Sequence, residues 1–96
     1  MASTVYKIAI RSMIALLGVR IVQTKYEKEY IKFGLRVQYY RKLLGLTQEA
    51  FADKAGISWS YLAKIESPTK AFGVSMEKLF AIADALEVPV AKLFEE

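Results

Sequence analysis

The stretch GLTQEAFADKAGISWSYLAKIE, residues 45–66, decides how this chain folds. Its first residue, Gly45, terminates a preceding helix, and Thr47 then offers a hydroxyl N-cap for the next one. Phe51, Ala52 and Ala55 share one helical face. The capping box is half present, because Ala50 stands where an acidic or amide side chain would complete it. Gly56 supplies a left-handed turn, Ser58 caps again, and Leu62 and Ile65 point inward. Two short helices result, Thr47 to Ala55 and Ser58 to Glu66, joined by a glycine turn.

Upstream, the pattern is clean from Glu27. Phe33, Val37, Tyr40 and Leu44 fall at helical spacing, and Gly45 ends that first helix. Downstream, Ser67-Pro68-Thr69-Lys70 breaks the third helix. Ser75 caps a fourth, with Leu79, Ile82, Ala83 and Leu86 inward, and Pro89 suits the first turn of a short fifth helix carrying Leu93. Phe33, Val37, Phe51, Leu62, Ile65, Leu79, Ile82 and Leu86 are the expected core. The expected fold is all-α, a five-helix domain over residues 31–96 with an N-terminal apolar extension over residues 1–30.

That extension reads two ways. Thr4 as N-cap and Gly18 as terminator give a helix to Leu17. Alternation from Tyr6 to Arg11 and the β-branched run Val19 to Val22 give strand instead. The apolar run from Met13 to Val19 is too short to cross a bilayer, and a convincing small-residue cleavage site is missing, so no membrane span and no secretion signal are expected. Either form leaves an apolar face, covered by the extension's own domain or by a second copy. Residues 1–30 are therefore a candidate dimerisation arm.

Composition narrows the chemistry. The 96 residues are 54% hydrophobic and 25% charged, as in a globular protein. Cysteine and histidine are both absent. That removes thiolate nucleophiles, histidine bases and every Cys/His zinc site, so neither an enzyme nor a metal or other cofactor is expected. The lack of cysteine is consistent with the cytoplasm. Residues 31–75 carry seven cations against three carboxylates, whereas residues 76–96 carry two against five. A polyanion is drawn to the first part and repelled by the second.

A pair of short helices around a glycine turn is the helix-turn-helix arrangement, whose second helix enters the DNA major groove. Gly45-Leu46-Thr47-Gln48-Glu49-Ala50-Phe51-Ala52, Ala55-Gly56-Ile57-Ser58, Tyr61-Leu62, Lys64-Ile65-Glu66 and Ile82-Ala83-Asp84-Ala85-Leu86 resemble the phage-repressor and Cro type of this domain, also called the xenobiotic-response-element type. The resemblance covers residues 31–96 and leaves the first thirty uncovered. It implies a lambda-repressor-like fold and a recognition helix starting at Ser58, with Trp59, Ser60, Ala63 and Lys64 toward base edges. Lys64 suits guanine N7 and O6, Ser60 several bases, and Ala63 a thymine methyl. Trp59 departs from the amide or small polar residue often found there, and its indole suits apolar contact rather than bidentate readout.

The same resemblance implies phosphate contacts from Gln48, Thr47, Ser58, Tyr61 and Lys70. Arg36 and Lys42 are more peripheral, and Lys54 reads as solvated surface. It also implies that Arg41 pairs with Glu66 in a structural ion pair that holds the third helix on the first. The expected function is a sequence-specific DNA-binding transcriptional regulator, a repressor, that binds a two-fold symmetric operator on double-stranded DNA as a homodimer. The alternative is an antitoxin-type module whose residues 1–30 mask a toxin.

Overall fold

Four α-helices and one 3-10 helix make up residues 24–95, the part of the chain that the computed structural model describes. They are α1 (Glu27–Leu43), α2 (Gln48–Ala55), α3 (Trp59–Ile65), α4 (Met76–Leu86) and the 3-10 helix Val90–Phe94. Among the described residues there is no strand. The extension expected as helix or strand from Thr4 to Val22 lies outside the described residues, as does Glu96.

Local chemistry sets the helix starts. Thr47, Ser58 and Ser75 sit in extended backbone, and each hydroxyl accepts from the N–H three residues on, at 3.1 Å from Ala50, Tyr61 and Lys78. α1 has no side-chain cap, but Glu27 and Glu29 in its first turn and Arg41 and Lys42 in its last complement the helix dipole. At the other ends, Gly45 and Gly56 adopt φ of 73° and 71°. Each donates back to the helix together with the residue after it, which closes the last turn. Glu87 takes the same left-handed role after α4, with φ of 62°.

The expected short fifth helix is a 3-10 helix, so the described residues hold four α-helices rather than five. Its five residues follow an extended Pro89 and carry no side-chain cap, and so short a segment gains too few i→i+4 bonds to prefer the α form.

The eight expected core residues are all buried, and Ala52, Ala71, Phe72, Ala83, Ala85 and Leu93 join them. α1 packs against α3, α4 and the 3-10 helix, while α2 packs against α3 and α4. Phe94 closes the end of the core by stacking on Phe33, ring centroids 5.5 Å apart. Gly34 marks a close crossing of α1 and α3. A Cβ there would overlap the Ile65 carbonyl oxygen at the end of α3. Absence of a side chain lets the two backbones meet, and that contact sets how α3 is presented.

Candidate nucleic-acid interface

Arg41 and Glu66 come from the last turn of α1 and the residue that caps α3, and both are buried, at 6% and 2% exposure. Arg41 Nε donates to Glu66 Oε2 at 2.8 Å and Nη2 donates to Oε1 at 2.9 Å. This fork-on-fork geometry uses the planarity of both groups. Arg41 Nη1 also donates to the Leu46 carbonyl at 2.6 Å, in the link between α1 and α2. One guanidinium thus ties α1 to the end of α3 and to the start of the hairpin. No buried side-chain nitrogen or oxygen among the described residues lacks a partner.

The network continues outward. Gln48 opens α2, and its Nε2 donates to Glu66 Oε1 at 3.1 Å. Gln48 Oε1 in turn accepts from Trp59 Nε1 at 3.2 Å, from the first residue of α3. With its oxygen turned to Trp59 and one amide hydrogen to Glu66, the Gln48 side chain is held in one orientation. That leaves its second amide hydrogen to donate to a further acceptor.

Trp59, Ser60, Ala63 and Lys64 lie along the outer side of α3 and all four are exposed, Trp59 at 55%. The Ser60 hydroxyl lies 3.3 Å from that of the capping Ser58. Lys64 Nζ lies 5.9 Å from the centre of the Phe72 ring, a cation–π distance. Tyr61 is half-buried edge-to-face on that same ring, at 5.2 Å. Thr47 and Ser58 are exposed, and each hydroxyl already accepts one backbone N–H as a cap. Lys70 is exposed in the bend after α3. Arg36 is half-buried and Lys42 exposed on α1, while Lys54 makes a surface ion pair with Glu87 at 3.2 Å.

The sequence profile of the helix-turn-helix family matches residues 37–93, which span every contact just described. The chain belongs to the helix-turn-helix family. Within that family it is of the phage-repressor and Cro type. An uncharacterized HTH-type transcriptional regulator of Sinorhizobium medicae is 35% identical over 66 residues, which is 69% of this chain and 46% of that relative. The chain therefore matches somewhat less than half the length of this curated relative. Among solved structures, the restriction-modification controller protein C.AhdI from Aeromonas hydrophila is 31% identical with a TM-score of 0.64, over 70% of this chain and 98% of that one. SinR, the master regulator for biofilm formation, solved in complex with DNA, is 33% identical with a TM-score of 0.60, over 66% of this chain and 98% of that one.

Several features of this helix-turn-helix domain escaped the sequence reading, among them one bond of Gln48 and the role of Gly34. The bond from Gln48 to Trp59 crosses from α2 to α3, and no local spacing announces it. Gly34 had a signal: a glycine inside an otherwise periodic helix marks a close backbone approach.

Proposed function

We propose that this chain is a sequence-specific transcriptional regulator, acting as a repressor, that binds a two-fold symmetric operator on double-stranded DNA as a homodimer. Residues 31–96 are the DNA-binding domain in this reading, residues 1–30 its extension and dimerisation arm, and the cytoplasm its location. Among the described residues no helix is long and apolar enough to cross a membrane.

One observation carries the proposal. The outer side of α3 is exposed from Trp59 to Lys64, and a buried ion pair braces the helix from behind. Such rigidity matters because base readout requires side chains held at fixed register before contact. Trp59, Ser60, Ala63 and Lys64 are the proposed base contacts. Gln48, Thr47, Ser58, Tyr61 and Lys70 are the proposed phosphate contacts, and Arg41 and Glu66 form the structural pair that positions both sets. A single helix reads only a few base pairs, and two copies spaced about one helical turn apart provide the missing selectivity.

Selection of bound duplexes from a random pool, with light scattering on the same sample, tests the proposal. A palindromic consensus with a dimer mass supports it. Recovery of no enriched sequence overturns it.

A further inference from the structure

α1 carries apolar residues on both of its sides. Phe33 and Val37 enter the core, and Leu35, Tyr39 and Leu43 run along the opposite face at i, i+4 and i+8. These three stay 40%, 52% and 65% exposed. The stripe lies across the helix from Gly34 and Arg41, the residues that meet the end of α3, so an occupant there need not touch the α3 surface. At about 100° per residue, Lys28, Lys32, Arg36 and Lys42 fall in the same outer arc and Glu27 falls outside it. Glu29 lies at its edge and, with Glu95, lines the groove beside Lys28, Lys32 and Leu35, leaving four cations against two carboxylates.

We propose that this stripe is a docking surface for an acidic amphipathic helix of a partner protein. A narrow line of apolar residues at helical spacing is complemented by a second helix lying alongside it, with crossing angles of the coiled-coil kind. The flanking cations select the sign of that helix's edges. A second copy of the same face would set cations against cations. Residues 1–23 are a poor match as well, since Lys7, Arg11 and Arg20 are their only charged side chains. An anionic bilayer calls for a broader apolar face than a line one residue wide. The inference does not rest on the DNA reading.

The test titrates the full-length chain with two synthetic helical peptides. Both repeat leucine at alternating third and fourth positions, one flanked by glutamates and the other by lysines. The expected result is binding of the glutamate peptide about tenfold or more tighter than the lysine peptide. Tyr39→Ala with Leu43→Ala removes that binding, and Lys28→Glu with Lys42→Glu inverts the preference, with the helical circular-dichroism spectrum and oligomer mass retained in both. Equal binding of the two peptides, or binding of neither, overturns the proposal. So does loss of dimer mass in the Tyr39→Ala, Leu43→Ala variant, which would make a second copy the occupant. Capture of the chain by phosphatidylglycerol vesicles that depends on Tyr39 and Leu43 would make it a lipid surface.

Discussion

Gln48 and Glu66 are joined by a 3.1 Å hydrogen bond, and the Glu66 oxygen that accepts it also accepts from Arg41. The carboxylate that fixes the fold is therefore the one that orients a side chain at the proposed DNA surface. Stability and binding meet at one atom, and the two functions separate only when the surrounding residues are changed singly.

Arg41→Ala and Glu66→Ala should each lower stability by about 3–5 kcal/mol, because each leaves a buried charge unpaired. Arg41→Met with Glu66→Leu should lose much less than the sum, since two apolar side chains replace both desolvated charges. Urea denaturation followed by circular dichroism, arranged as a double-mutant cycle, checks this. Additive losses would show that the two groups act independently.

Gln48→Ala should leave the fold nearly intact, with a loss of about 1 kcal/mol for the hydrogen bonds removed. Binding should weaken by a similar factor on every duplex. Lys64→Ala should behave differently and reduce discrimination at one position of the site by about 1–3 kcal/mol. Lys70→Ala should lower the slope of log affinity against log salt by about 0.9, as expected when one phosphate is no longer neutralised. Gel shifts at several salt concentrations, on cognate and scrambled duplexes, distinguish the three.

Trp59 is the one tryptophan of the chain and is exposed at the start of α3. Its emission should change intensity and shift on addition of cognate duplex. In Gln48→Ala the free protein should already show altered emission, because the indole N–H loses its acceptor. Unchanged fluorescence at saturating cognate DNA would remove Trp59 from the contact surface.

Gly34→Ala should destabilise the domain by about 3 kcal/mol or more, because its methyl group meets the Ile65 carbonyl rather than a side chain that can swing away. The thermal midpoint measured by circular dichroism reads this directly. A stable Gly34→Ala protein would mean that α1 and α3 can separate without cost.

Glu87→Gly should raise stability by up to about 1 kcal/mol, since a left-handed backbone is strained for every residue with a Cβ. The ion pair removed with it, to Lys54, is exposed and contributes little. A lower midpoint would show that this pair outweighs the backbone strain.

The helices were legible in the residues because their signals are local. Thr47, Ser58 and Ser75 announce helix starts through hydroxyls that reach only three residues ahead, and Gly45 and Gly56 announce ends through a backbone angle few other residues accept. The same reasoning places a short fifth helix after Pro89 but does not give its type, because propensity does not distinguish the first turn of an α-helix from a 3-10 turn. It also missed Glu87, whose side chain gives no sign of a positive φ.

By itself the sequence determined where the chain is helical and which face of each helix is apolar, since both follow from spacing within a few residues. Which polar groups meet was decided by tertiary structure, and of these contacts only the Arg41–Glu66 pair was expected beforehand, from the family resemblance rather than from spacing. Arg41 lies 25 residues from Glu66, and Gln48 lies 18 from Glu66 and 11 from Trp59. Helical periodicity assigns a side chain to a face and is silent on what that face meets. Only the crossing of α1 over α3, set by the missing side chain of Gly34, brings these four together.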